Sequence, residues 1–226
     1  MPTETRLKSG CTLLDEAMGG GLVPGEIVQI YGPSGAGKTT LAMQYSIEAA
    51  RQGFQIIYVN VGRAFSIYRF RQMASSDFDL VAPRLFITSP TKFSQQGEFF
   101  DMFETICPPN THLLVVDTIV SLYRKELGDF SRNIMLSRLL NRQLGAIATI
   151  AKRGNITALL LNQVRGDMES LDGFHPMANS IISFWCTTTI RIKKAESMGH
   201  REFKLFTGNA NAPIEFIVKL NDSGFV

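Results

Sequence analysis

The octapeptide Gly32-Pro33-Ser34-Gly35-Ala36-Gly37-Lys38-Thr39 fits the pattern GxxxxGK[ST]. A chain of this length meets that pattern by chance about one time in a hundred at average residue usage. Its surroundings narrow the reading further. Apolar residues at 26–31 predict a buried strand before it. After it, 38–52 carries Leu41, Ala42, Tyr45 and Ala49 on one helical face. A glycine loop between a strand and a helix turns successive backbone N–H groups inward, where they cradle phosphate oxygens, and the helix N-terminus adds partial positive charge. The loop therefore predicts a nucleoside triphosphate site, with ATP as the ligand and Mg²⁺ beside it. Gly32, Ser34, Gly35, Ala36 and Gly37 form the cradle. Lys38 bridges the outer phosphates, Thr39 ligates Mg²⁺, and Thr40 supports the α-phosphate.

Downstream the alternation continues. Strands are predicted at 54–61, 85–88, 112–116 and 156–161, with helices at 66–76, 94–106 and 131–153 between them. Parallel strands need long crossovers, and helices supply them. The fold class is thus α/β, a mostly parallel central sheet flanked by helices. Upstream, 1–25 reads as a lead-in with a short helix from Thr12, ended by Gly19-Gly20-Gly21. After residue 162 the pattern changes. Residues 164–180 are polar and irregular, and 181–193, 201–207 and 214–220 read as strands joined by turns at 198–199 and 209–213. They are expected to extend one edge of the sheet antiparallel. With no linker or repeat in the sequence, 1–226 reads as one domain.

Two strand ends complete the site. Leu113-Leu114-Val115-Val116-Asp117 delivers a carboxylate to the carboxyl edge of the sheet, where ligands of such sheets bind, so Asp117 is the expected second Mg²⁺ group. Leu160-Leu161-Asn162-Gln163-Val164 ends another strand, and Gln163 is placed to touch the γ-phosphate and relay its presence into the loop that follows.

Composition bounds the alternatives. The 226 residues are 45% hydrophobic with a formal net charge of +3, which suits a folded core and neither demands nor excludes nucleic acid. Three cysteines without a CxxC pair argue against a disulfide framework or a zinc site. No apolar run approaches the ~20 residues of a membrane span. A cytoplasmic protein without membrane contact is the expectation.

These motifs, in this order, resemble the RecA/RadA recombinase superfamily, over about residues 7–226. Ser9-Gly10-Cys11-Thr12-Leu13-Leu14-Asp15 with Gly19-Gly20-Gly21 is similar to that family's entry motif. The phosphate loop, Asp117-Thr118 and Asn162-Gln163-Val164 follow in family order. Within these residues there is no N-terminal helical domain and no Phe-x-x-Ala assembly motif, so the likeness is to an archaeal branch made of the bare core. That likeness implies an ATP-binding, DNA-binding accessory of homologous recombination and repair, without strand exchange of its own. It also implies single-stranded or branched DNA and a RadA-type recombinase or recombination nuclease as partners. A homodimer is compatible with it. The segment Phe65-Ser66-Ile67-Tyr68-Arg69-Phe70 resembles the family segment whose arginine stacks on adenine, which nominates Arg69.

One departure bears on catalysis. The family places an acidic residue after its second strand to polarise the attacking water. Here Val59-Asn60-Val61-Gly62 puts Gly62 at the glutamate position. Loss of a positioned general base costs about 10²–10⁴ in rate, so weak or conditional hydrolysis is expected. For DNA, relatives use the region after Gln163, here a candidate loop at 164–180 with Arg165. Arg191, Lys193, Lys194 and Arg201, with His200 and Lys204 beside them, form an apparent basic patch near a hairpin turn. Charge of this kind also protects edge strands. Phe174 and Trp185 can stack on bases, although core packing suits both better, Trp185 as part of an apolar strand. A circadian-clock-type RecA-fold ATPase or kinase, and a nucleotide-gated interaction module, remain as other readings.

Overall fold

The computed structural model describes residues 6–62, 64–166, 173–208 and 212–226. Residues 1–5 of the lead-in, 167–172 of the candidate DNA loop and 209–211 of a predicted turn lie outside the described residues. In chain order the elements are α1 (Thr12–Ala17), β1 (Ile27–Tyr31), α2 (Lys38–Arg51), β2 (Gln55–Asn60), α3 (Ile67–Ala74), α4 (Phe78–Val81), β3 (Leu85–Thr88), α5 (Phe93–Thr105), β4 (Thr111–Asp117), α6 (Ser121–Glu126), α7 (Phe130–Gly154), β5 (Thr157–Asn162), β6 (Val164–Gly166), β7 (Phe174–Pro176), α8 (Asn179–Trp185), β8 (Thr188–Lys194), β9 (His200–Thr207), β10 (Ile214–Asn221) and β11 (Gly224–Phe225).

Nine strands form one sheet in the order β11-β10-β9-β8-β1-β5-β4-β2-β3. The strands from β8 to β3 in that order run parallel, and β9, β10 and β11 are antiparallel additions. The expected architecture is therefore present. The sheet is buried on both faces. One face packs Val28, Ile30, Ile190 and Ile192 against Leu41, Ala42 and Tyr45 of α2. The other packs Ile27, Leu114, Val116 and Leu160 against Phe100 of α5 and Leu140, Leu144 and Ile147 of α7. Each of these buried Val, Leu, Ile and Phe side chains contributes about 1.5–3 kcal/mol of transfer free energy.

The expected boundaries hold within a residue or two, with one correction. Residues 181–187 are not strand. Ile181 to Trp185 belong to α8, and β8 begins only at Thr188. Ile181, Ile182, Phe184 and Trp185 read as strand by propensity, yet Ala178, Ile181, Ile182 and Trp185 all pack on the α5–α7 core, and that spacing is helical. Tertiary packing outweighs β propensity here. Because α8 supplies a crossover, β8 joins β1 parallel rather than antiparallel. The loop at 164–180 also contains structure, since β6 and β7 pair as a small hairpin.

The lead-in is tied down locally. Ser9 N and Ser9 Oγ donate to Asp15 Oδ1 at 2.7 and 2.8 Å, and Gly10 N donates to Asp15 Oδ2 at 3.2 Å. Asp15 thus closes the turn that starts α1, which gives the Ser-Gly…Asp spacing a structural role. The three cysteines are unbonded, and burial raises each thiol above its ordinary range. Among the described residues, no helix is long and apolar enough to cross a membrane.

Candidate nucleotide-binding site

β1 ends at Tyr31 and α2 begins at Lys38, so residues 32–37 form the turn between them at the carboxyl edge of the sheet. Two glycines are needed by close approach. A Cβ on Gly32 would lie 1.9 Å from the carbonyl oxygen of Ile192 in β8, and one on Gly37 would lie 2.6 Å from the ring of Phe225. The phosphate loop is thus pressed against the C-terminal strands. No side chain caps the first turn of α2, which leaves its N-terminal N–H groups to another acceptor.

The functional side chains converge around this turn. Lys38 Nζ donates to the carbonyls of Gly32 at 2.7 Å and Pro33 at 2.9 Å. Thr39 Oγ1 donates to Asp117 Oδ2 at 2.7 Å. Thr39 and Asp117 are 78 residues apart, and the pairing arises because β4 lies one strand beyond β5, which itself neighbours β1. The donor set fits a magnesium–nucleotide: an ammonium and free N–H groups for phosphates, with a hydroxyl and a carboxylate in contact for the metal. Mg²⁺ is usually held by one or two protein oxygens together with phosphates and water, so the absence of a larger cluster of metal-ligating groups among the described residues is consistent with it.

A group that the sequence did not reveal completes the metal side. Tyr58 in β2 is fully buried, and its hydroxyl donates to the same Asp117 Oδ2 at 2.9 Å. Burial, and then the adjacent Asp117 carboxylate, push the phenol well above its ordinary range. Tyr58 also meets Phe65 edge-on, with ring centroids 5.0 Å apart. A tyrosine inside an apolar run reads as core. Only the register of β2 on β4, which sets Tyr58 beside Val115 and Asn60 beside Asp117, brings its hydroxyl to the site.

Gly62 follows β2 at a backbone φ of +94°. A Cβ there would lie 3.2 Å from both Cβ and Oγ of Ser121, and Ser121 Oγ pairs with Thr118 Oγ1 at 2.9 Å. The position expected to hold a glutamate is therefore crowded, with a backbone suited to glycine. Gln163 follows β5 directly. Its carbonyl accepts Met177 N at 2.9 Å, while Asn162 Nδ2 donates to Met177 O at 2.8 Å. The Asn-Gln pair thus clamps the far end of the 164–180 segment. Arg69 is linked to the last turn of the sheet: it donates to the carbonyls of Asn221 and Asp222, each at 2.9 Å, and to Gln72 Oε1 at 2.6 Å.

The basic residues do not form one patch. Side chains alternate between the two faces of a strand. Lys194 and its register partner Arg201 lie on the α2 face, with Ile192, Phe203 and Leu205. Arg191 and Lys193 take the opposite face. Arg191 is only 4% exposed, which removes it as a direct contact for DNA, and Lys193 pairs with Glu202 at 2.7 Å. Arg165 is exposed on β6. Trp185 is also accounted for structurally, because its indole N–H donates to Asn141 Oδ1 of α7 at 2.9 Å. Phe174 sits edge-on to Tyr31. Among the described residues the strongly exposed aromatics are instead Phe130 at 79%, Phe184 at 78% and Tyr68 at 77%.

Comparison with known proteins agrees with this geometry. The model of the RecA N-terminal domain matches residues 3–212. A protein of Methanocaldococcus jannaschii named DNA repair and recombination protein RadB is 34% identical over 183 residues, covering 80% of this chain and 84% of that one. Its namesake from Methanococcus maripaludis is 31% identical over 187 residues, covering 82% and 84%. A solved structure described as the RadB recombinase superposes with a TM-score of 0.82 at 29% identity, covering 97% of this chain and 98% of that one. The chain belongs to the RecA family, within its RadB branch.

Proposed function

We propose that this RecA-family chain is an ATP-binding, DNA-binding accessory of homologous recombination and DNA repair, with slow ATP turnover and no strand exchange of its own. The observation that carries the reading is the contact of Thr39 with Asp117 beside a phosphate loop whose water-activating position is Gly62. Bound Mg²⁺ would neutralise phosphate charge. The chain's own residues would bind and orient: Lys38 would exchange its two loop carbonyls for phosphate oxygens, the Thr39 hydroxyl and the Asp117 carboxylate would hold the metal, and Tyr58 keeps Asp117 in place. No carboxylate follows β2 to take a proton from water, so binding outlasts chemistry. Arg69 directs its N–H edge to the Asn221 and Asp222 carbonyls, which leaves its flat face for an adenine.

For DNA the supporting features are different residues. Arg165 is exposed at the start of the candidate loop, and Phe184 projects from α8 just after it. Phe130, Arg138 and Ile181 line one open groove. Exposed aromatics near cations suit single strands, in which every base offers a stacking face. The names of the relatives support repair and recombination as the setting. In the proposal the protein is cytoplasmic, a RadA-type recombinase or a recombination nuclease is the protein partner, and a homodimer is compatible with the edge strands.

The test combines three measurements: Mg-ATP affinity of the wild type against Lys38→Ala, binding of an oligo-dT strand with and without ATP, and DNA-stimulated ATP turnover. The expected pattern is nucleotide binding lost in Lys38→Ala, DNA binding in the wild type, and turnover below about 1 s⁻¹, under the ordinary enzyme range. Absence of DNA binding in both nucleotide states, or turnover well above that rate, refutes the reading.

A further inference from the structure

The β8–β9 hairpin brings two cations to the phosphate loop. Arg201 Nε donates to the carbonyl of Ala36 at 3.1 Å, which braces the loop from behind. Lys194 stands next to Gly35: a Cβ built on that glycine would lie 3.9 Å from Lys194 Nζ and 3.8 Å from its Cε. The neighbouring lysines of these strands are committed elsewhere, Lys193 to Glu202 at 2.7 Å and Lys204 to Glu215 at 2.6 Å. Lys194 is exposed and makes neither a hydrogen bond nor an ion pair among the described residues. An ammonium on a flexible stem thus stands beside the apex of a phosphate-binding turn, with no ion-pair partner among the described residues.

We infer that Lys194 is a second phosphate-binding cation of the nucleotide site, acting within the same chain on the terminal phosphate. The inference rests on the reading of residues 32–40 as a nucleotide site. A bound triphosphate would set the phosphates nearest the sugar against the helix N-terminus at 37–39, which would leave Gly35, at the apex, towards its far end. Lys38 approaches the loop from α2, whereas Lys194 approaches from β8. A triphosphate carries about four negative charges, so a second ammonium at the far end favours ATP over ADP. The alternation of β8 gives this assignment: Lys194 shares its face with Ile192 and the loop, whereas Lys193 does not.

Calorimetric titration of Mg-ATP and Mg-ADP into the wild type, Lys194→Gln and Lys194→Arg tests it, with Lys38→Ala as the control and oligo-dT binding measured without nucleotide. Lys194→Gln should weaken ATP about tenfold, as loss of a charge-assisted hydrogen bond does, and ADP by less than about threefold. Lys194→Arg should hold ATP within about threefold, because the charge is kept. Equal weakening of ATP and ADP, or no weakening of either, overturns the inference and leaves the nucleotide reading intact. Loss of DNA affinity with ATP affinity unchanged also overturns it and returns Lys194 to DNA. Failure of the wild type itself to bind either nucleotide refutes the underlying reading.

Discussion

Replacing Gly62 with glutamate restores the family's acidic residue on paper, and the structure gives reasons why it will not restore hydrolysis. Gly62 has φ +94°, and a Cβ there would stand 3.2 Å from Ser121 Cβ and Oγ. An L-residue held at positive φ costs about 1–3 kcal/mol. Restricting the unfolded chain by removing a glycine returns about 0.4–1 kcal/mol. The net is a loss of about 0.5–2 kcal/mol, or a few degrees in Tm for a domain of this size. Gly62→Ala isolates the backbone contribution and should lose nearly as much as Gly62→Glu. Gly62→Asn should lose less, because asparagine tolerates the left-handed region. Adding Ser121→Ala removes the Oγ contact but neither the Cβ contact nor the φ strain, so it should recover less than half. Urea denaturation read by circular dichroism measures stability, and a coupled assay measures ATP turnover. A freely positioned base would raise the rate by about 10²–10⁴. The strained backbone predicts that Gly62→Glu gains less than about tenfold, well short of that range. A neutral or stabilising Gly62→Ala refutes the strain argument. A hundredfold gain in turnover for Gly62→Glu refutes the conclusion drawn from it.

Two further predictions concern buried polar groups. Tyr58 keeps its proton in the folded chain at a pH where the unfolded phenol, near ~10, has lost it. Above that pH the unfolded state binds fewer protons, so stability falls as pH rises, by ~1.4 kcal/mol per unit for one group. Tyr58→Phe should make the alkaline decline of urea-measured stability shallower by about that amount, and an unchanged slope counts against the assignment. Gln44 of α2 accepts from Phe225 N at 2.8 Å and donates to Phe225 O at 3.0 Å in a buried setting. Gln44→Leu strands both backbone groups and should cost about 2–4 kcal/mol in urea denaturation. It should also weaken Mg-ATP, because the Phe225 ring backs Gly37. Full affinity in that variant would separate the C-terminal strand from the site.

How far the site could be read in advance follows from how local its determinants are. The phosphate loop was legible because its chemistry fixes four positions within eight consecutive residues, and Asp117 because a strand ending in a carboxylate is a short pattern. Tyr58 was not legible, since the hydroxyl reaches Asp117 only through the β2–β4 register. The absent glutamate at Gly62 was visible, but its positive φ and the crowding by Ser121 were not. The division of the basic residues needed only the alternation of β8. Extending that strand back to 181, where α8 lies, hid the parallel crossover that places Ile192 against Gly32 and Lys194 beside Gly35. The residues that back the phosphate loop come from the last third of the chain, far from the motif itself. Ile192 limits Gly32, Arg201 braces Ala36, and Phe225 limits Gly37. Arg69 and Gln44 tie α3 and α2 to the same terminal strands. The family model ends at 212, yet the wall behind the loop runs to Phe225. The order of the C-terminal strands and the position of residues 32–37 are therefore physically coupled, and on the proposed reading a nucleotide that moved the loop would have to move β8, β9 and β11 with it.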